Sequence, residues 1–201
     1  MARPRNTDIR RQEIMRGLMA VMAEAGYEGA TISLIAQAAG VAPGVVHYHF
    51  PNKQAILIEL IDYIGSLVQF RFDEMCDGLA AEDHLGAFID ANLALGKGSN
   101  AAAVACWVGI GAESVKQPEV RAAYRRVAEK QLQLLESLCD RALTAKRKST
   151  KHKREIALGV MAAIEGVFRL TVSVSELIPR GFAAATVKEM AYGAVSAQPE
   201  N

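Results

Sequence analysis

TISLIAQAAGVAPGVVHYHFPNKQAIL, residues 31–57, is the stretch that decides how this chain is read. Thr31 stands just before Ile32, Leu34, Ile35, Ala38 and Ala39, where its hydroxyl can accept a hydrogen bond from an N–H that has no intrahelical partner. A short helix therefore starts at Thr31 and stops at Gly40. Pro43 suits the first turn of a next helix, because the N–H it lacks would have no partner there. Phe50-Pro51 ends that helix. Two short helices joined by a glycine turn predict a helix-turn-helix. The spacing of Ala36, Gly40 and Val46 supports it. A small residue falls where the helices cross, a glycine where the turn needs positive φ, and an apolar residue where the second helix tucks onto the first.

Working outward, Ile14, Leu18, Val21, Met22 and Ala25 lay one apolar stripe on a preceding helix that ends at Gly26. Beyond Lys53, Ile56, Leu57, Leu60, Ile64, Leu67, Val68 and Met75 mark a longer helix that runs to about Cys76. Further helices are predicted near residues 82–96, 101–116, 118–145, 152–176 and 180–196, broken by Gly98, Pro118, a basic cluster and Pro179. The run 170–174 is rich in β-branched residues but also fits the helix before it. The expected fold is all-α, about nine helices. Three of them form a helix-turn-helix head over residues 1–52, and the larger helical body takes residues 53–201. No internal repeat is visible.

The chain of 201 residues carries 23 Lys and Arg against 22 Asp and Glu, so its average charge identifies no partner. The distribution is more informative. Residues 1–16 hold Arg3, Arg5, Arg10, Arg11 and Arg16 against Asp8 and Glu13, a basic arm beside the helix-turn-helix. A second run, Lys146, Arg147, Lys148, Lys151, Lys153 and Arg154, reads as a solvated loop between helices.

The run from Thr31 to Leu57 resembles the signature of the TetR family of bacterial transcription regulators. Gly40, Val41, Gly44, His49, Phe50, Lys53 and Leu57 match its pattern, while Ala42 replaces the usual serine and His47 the usual tyrosine. The resemblance implies that Thr31, Ser33 and Lys53 hold DNA phosphates, which positions the protein. It implies that Pro43, Gly44, Val45, His47, Tyr48 and His49 lie on or beside the recognition helix, facing the major groove. Pro, Gly and Val offer only apolar and backbone contacts there, to a thymine methyl for example. Arg3 and Arg5 are expected in the adjacent minor groove. Phe50 reads as a core aromatic and Tyr48 as a groove-facing one.

Farther along, Ala105-Cys-Trp107, Gln117-Pro118 and Ile164-Glu-Gly-Val-Phe-Arg169 resemble the C-terminal domain of the BetI-like subgroup, whose namesake controls choline-to-betaine genes. A quaternary ammonium would need aromatic faces and a carboxylate, and Trp107, Tyr124, Glu165 and Phe168 are the available parts of such a ligand box. Gly111 departs from the choline-responsive pattern, which has a second large aromatic there. The effector is thus an unidentified small molecule. The last two helices are rich in Gly159, Ala162, Ala163, Gly166, Ala183, Ala184, Ala185 and Ala191, which permit close approach; in TetR-like proteins this pair forms a homodimer interface. The resemblance implies a repressor that binds a palindromic operator in double-stranded DNA and is released by its effector.

Other classes find less support. There is no H-E-x-x-H, E-x-x-H, G-x-S-x-G or phosphate-loop glycine pattern, so an all-α enzyme is not expected. A body of this fold that has lost DNA binding and acts as a ligand sink is the second alternative, motivated by Ala42 and His47. His47 and His49 point to different helix faces and make no metal pair. No metal or cofactor is expected. Cys76, Cys106 and Cys139 lack C-x-x-C spacing and read as reduced core residues of a cytoplasmic protein. The opening has no secretory pattern, and the longest uncharged stretch, 29–52, is too interrupted to cross a bilayer.

Overall fold

A computed structural model describes residues 6–95 and 98–200. Among these residues the elements are nine α-helices: α1 (Asn6–Gly29), α2 (Ile32–Ala38), α3 (Pro43–His49), α4 (Lys53–Cys76), α5 (His84–Leu93), α6 (Ala101–Lys116), α7 (Pro118–Ala145), α8 (Lys153–Ser173) and α9 (Phe182–Ser196). Single 3₁₀ turns at Ala81–Asp83 and Ser175–Leu177 precede α5 and follow α8. The all-α expectation holds, and the differences lie at helix ends. α1 continues to Gly29 but is broken at Gly26, whose φ is 67°. The helix expected over 82–96 is shorter at both ends, and the one expected to reach 176 stops at Ser173.

The chain packs as two compact units. One holds residues up to Gly65 together with Asn100–Val127; the other holds Ser66–Ser99 and the chain from Ala128 on. This division follows packing and differs from the head and body boundary expected at residue 52.

In the first unit, α1 supplies Ile14 and Leu18, α2 Ile35 and Ala36, α3 Val46, and α4 Ile56, Leu57, Leu60 and Ile61. All of these are fully buried, with Phe50 beside them. At ~1.5–3 kcal/mol for each large apolar side chain withdrawn from water, this cluster is what holds seven-residue helices that would not persist alone. Gly17 sets the approach of α2 to α1, since a Cβ there would lie 2.7 Å from the Ile35 carbonyl oxygen. α1 also packs on α6, where the Cys106 thiol lies 3.7 Å from the Met22 sulfur, both buried. Burial pushes the Cys106 thiol up to about 12.

In the second unit, Phe72 of α4 meets Phe88 of α5 edge to face at 5.8 Å. Also buried in this unit are Leu85 and Ile89 of α5, Leu135, Leu138, Cys139 and Leu143 of α7, Ala157 of α8 and Val195 of α9. Arg71, only 7% exposed, donates to the carbonyls of Ala91 and Ala94 at the end of α5, where a cation meets the negative pole of the helix. Burial lowers its pKa from the usual arginine value. α9 is tied to α5 by Lys188–Asp90 at 2.9 Å and by the Tyr192 hydroxyl, which accepts the Gly86 N–H at 3.1 Å.

The basic run between α7 and α8 is largely paired. Lys148 meets Glu200, Lys153 meets Asp140, Arg154 meets Glu136, and Lys146 donates to the Ser196 hydroxyl. Among the described residues one helix, α8, is long and apolar enough by length and composition to cross a membrane.

Candidate nucleic-acid interface

α2 begins where its cap is supplied: Thr31 is extended (φ −100°, ψ 157°) and its Oγ1 accepts the Leu34 N–H at 3.2 Å. The turn that follows reverses at Gly40, φ 66°, a conformation that disfavours any side chain with a Cβ. α3 then starts with Pro43 after Ala42, which caps nothing with its side chain. Ala36 and Val46 are both completely buried at the helix crossing, as their spacing implies.

With Val46 and Phe50 turned inward, the rest of α3 faces out. Tyr48 is 83% exposed; Pro43, Gly44 and His47 are exposed; Val45 and His49 are half-buried. Tyr48 and His49 meet edge to face at 5.1 Å. Phe50, at 1% exposure, is a core residue. A large aromatic left in water beside two imidazoles, on a short helix with a packed back, forms a projecting surface suited to a groove. Thr31 and Ser33 are also exposed, at the start of α2.

Lys53 is placed differently from a free phosphate ligand. Its Nζ donates to the Tyr27 carbonyl at 2.7 Å and stands 4.2 Å from the centroid of the Tyr27 ring. One of its three donors thus fixes the end of α1, and two remain. Tyr27 itself has a raised pKa, chiefly through burial and then through Glu113, a carboxylate only 6% exposed that accepts from Gln117. Arg3 and Arg5 lie outside the described residues.

Two further residues stand out in the structure, one of them within reach of local pattern and one not. Gln37 is exposed one turn beyond Ser33 on α2, and that spacing alone would have suggested it. Arg11 bonds to His49 and Glu59, 38 and 48 residues away, and nothing near it in sequence signals this.

The four residues of the expected ligand box divide between the two units. Trp107, 4% exposed, and Tyr124 lie ring on ring in the first, centroids 4.7 Å apart and planes tilted by 31°. Glu165, half-buried, and Phe168, buried, lie on α8 in the second. One turn after Trp107, a Cβ built on Gly111 would meet no atom within 4 Å.

A family model described as bacterial regulatory proteins of the tetR family matches residues 14–60, and one described as the C-terminal part of a BetI-type transcriptional repressor matches residues 81–194. The HTH-type transcriptional regulator BetI of Serratia proteamaculans is 32% identical over 116 residues, which span 56% of this chain and 58% of that protein. The regulator of the same name from Pseudomonas fluorescens is 28% identical over 167 residues, 80% of each chain. A transcriptional regulator from Saccharomonospora viridis, solved in complex with choline, shares the fold with a TM-score of 0.76 at 21% identity, covering 93% of this chain and 95% of that one. An outward-facing second helix on a helix-turn-helix scaffold, followed by a body matched over most of its length, makes this chain a member of the TetR family with a BetI-type C-terminal region, and hence a ligand-responsive, DNA-binding transcription regulator.

Proposed function

We propose that the protein is a cytoplasmic homodimeric repressor that binds a palindromic operator and is released by a small-molecule effector. The observation that carries the DNA reading is the outward face of α3. Tyr48 and His47 project, while Val46 and Phe50 anchor the helix from behind. Tyr48, His47, His49, Pro43, Gly44 and Val45 read the groove; Thr31, Ser33 and the free donors of Lys53 hold phosphates; Arg3 and Arg5 form the arm. The head, residues 1–52, does the reading, and the body, 53–201, dimerises and takes the effector. No catalytic, metal or cofactor role is assigned.

Dimerisation is supported by α8. Its most apolar stretch of 18 residues has a mean hydropathy of 1.6, yet only 28% of that stretch is buried. Leu158, Gly159, Ala162, Gly166 and Leu170 face out, and a Cβ on Gly159 or Gly166 would meet nothing within 4 Å. Between α8 and α9 runs a cavity of about 350 Å³ lined by Ile156, Val160, Ala163, Val187 and Met190. An apolar strip of this kind in water is covered by a second copy, four helices closing one interface. Two symmetric heads then meet successive major grooves ~34 Å apart.

For the effector, the Trp107–Tyr124 stack offers aromatic faces in the first unit, and Glu165 and Phe168 offer a carboxylate and a further ring in the second. The direct test is to select fragments of genomic DNA with the purified protein. A two-half-site palindrome whose binding is weakened by an added small molecule fits the proposal; salt-labile, sequence-blind binding alone contradicts it and favours the ligand-sink reading.

A further inference from the structure

α3 is seven residues long, too short to hold its own direction, and most of its surface is left to solvent. Its last carbonyls have no intrahelical partner. One of them, that of His49, accepts a hydrogen bond from Arg11 of α1 at 2.6 Å. The same guanidinium donates through Nε to Glu59 of α4 at 3.2 Å, and through its other terminal nitrogen to the second oxygen of that carboxylate. Its Cζ stands over the Phe50 ring, 4.2 Å from the centroid. One cation thus joins the end of α3 to both α1 and α4, with all three of its nitrogens donating within the protein.

We propose that Arg11 is a positioning residue for DNA recognition: it sets the angle at which α3 enters the groove and so controls sequence discrimination, without touching DNA. The proposal rests on α3 being the reading helix. A lysine cannot replace it, because a point charge on a flexible stem cannot serve a carbonyl and both oxygens of a carboxylate at once. Glu59 shares the role, since it holds the guanidinium in plane. The basic arm at the start of the chain offers a different reading of Arg11, as one more phosphate ligand. The two readings give opposite salt behaviour, since each lost phosphate contact lowers the salt slope of binding by about one.

The test compares wild type, Arg11→Met, Arg11→Lys and Glu59→Gln on two probes: a duplex selected from genomic DNA by the wild-type protein, and the same duplex with its half-sites scrambled. Melting temperature and the salt slope of binding are recorded alongside. Arg11→Met is expected to bind the selected duplex about tenfold more weakly, a loss of ~1.4 kcal/mol. Its affinity for the scrambled duplex and its salt slope stay at wild-type values. Arg11→Lys is expected not to restore discrimination, and Glu59→Gln to lose about threefold. Equal losses on both duplexes with a slope reduced by about one would make Arg11 a phosphate contact and overturn the proposal. Unchanged discrimination in Arg11→Met, or full rescue by Arg11→Lys, would overturn it too. If Arg11→Met does not fold, Glu59→Gln decides on the same two duplexes. A wild-type protein that does not distinguish the duplexes removes the DNA reading itself, and shows that failure before any variant is made.

Discussion

Lys53 holds Tyr27 twice, by a 2.7 Å hydrogen bond to its carbonyl and by placing its ammonium 4.2 Å over the ring. A charged hydrogen bond together with a half-exposed cation–π contact stabilises by about 1–2 kcal/mol. Lys53→Met is therefore expected to lower stability by about that amount in urea unfolding, in the absence of any DNA. A purely phosphate-binding lysine would leave the urea midpoint where it is.

Tyr48 gives the opposite pattern. At 83% exposure its ring contributes little to folding. Tyr48→Ala is expected to leave the melting temperature within about a degree and to reduce operator preference by ~1–3 kcal/mol, the usual worth of one base-reading side chain. Paired titrations on operator and scrambled duplex measure it.

The alkaline limit of stability follows from buried thiols. Cys106 and Cys139 are both pushed up to about 12 by burial, Cys139 further by Glu136, from an ordinary value near 9. Tyr27 and Tyr192 are also raised. Each of these groups is neutral in the fold when its unfolded counterpart has begun to ionise. Their contribution is therefore complete below pH 9 and is lost as pH rises from about 9 towards 12. Unfolding midpoints should fall steadily across that window, and Cys139→Ala should lessen the slope. In native protein at pH 8, half-buried Cys76 is the thiol expected to react with a disulfide reagent; all three react once the chain is unfolded.

The interface proposed on α8 is tested by charge. Gly166 and Ala162 are exposed in the single chain. Ala162→Glu should leave the circular dichroism of the chain unchanged while converting dimers to monomers in sedimentation velocity. Gly111→Ala, by contrast, places a methyl in open space within α6 and should stabilise by about 0.5–1 kcal/mol, because it removes a helix-interior glycine.

Part of this architecture is written locally in the chain. Thr31, Gly40 and Pro43 act on their own backbone, so the helix-turn-helix and its boundaries could be read directly. The sequence signals no stop at Leu93. The chain turns extended at Ala94, a strong helix former, whose carbonyl accepts from the buried Arg71, and Arg71 is a partner 23 residues back. α8 ends before 176 because Val174 leaves helical geometry (φ −149°, ψ 48°) after a run of β-branched residues that helices tolerate poorly. The outward residues of α3 were legible from the resemblance and the spacing together. Arg11 was counted only as basic, and Lys53 only as a phosphate ligand, because charge is visible in a sequence while its direction is not. The Trp107–Tyr124 stack joins two helices, and only the resemblance drew attention to it.

The packing of α1 has a consequence for building hybrid regulators. Its one flank carries α2 across the gap at Gly17, and its other carries α6, with the Met22 sulfur against the Cys106 thiol. A graft that took residues 1–52 onto a foreign sensor would strip α6 from that flank and leave Met22, now 5% exposed, facing water. The transplantable module therefore includes α6, and a working chimera has to carry residues 101–116 with the head or bring a donor helix whose surface matches them.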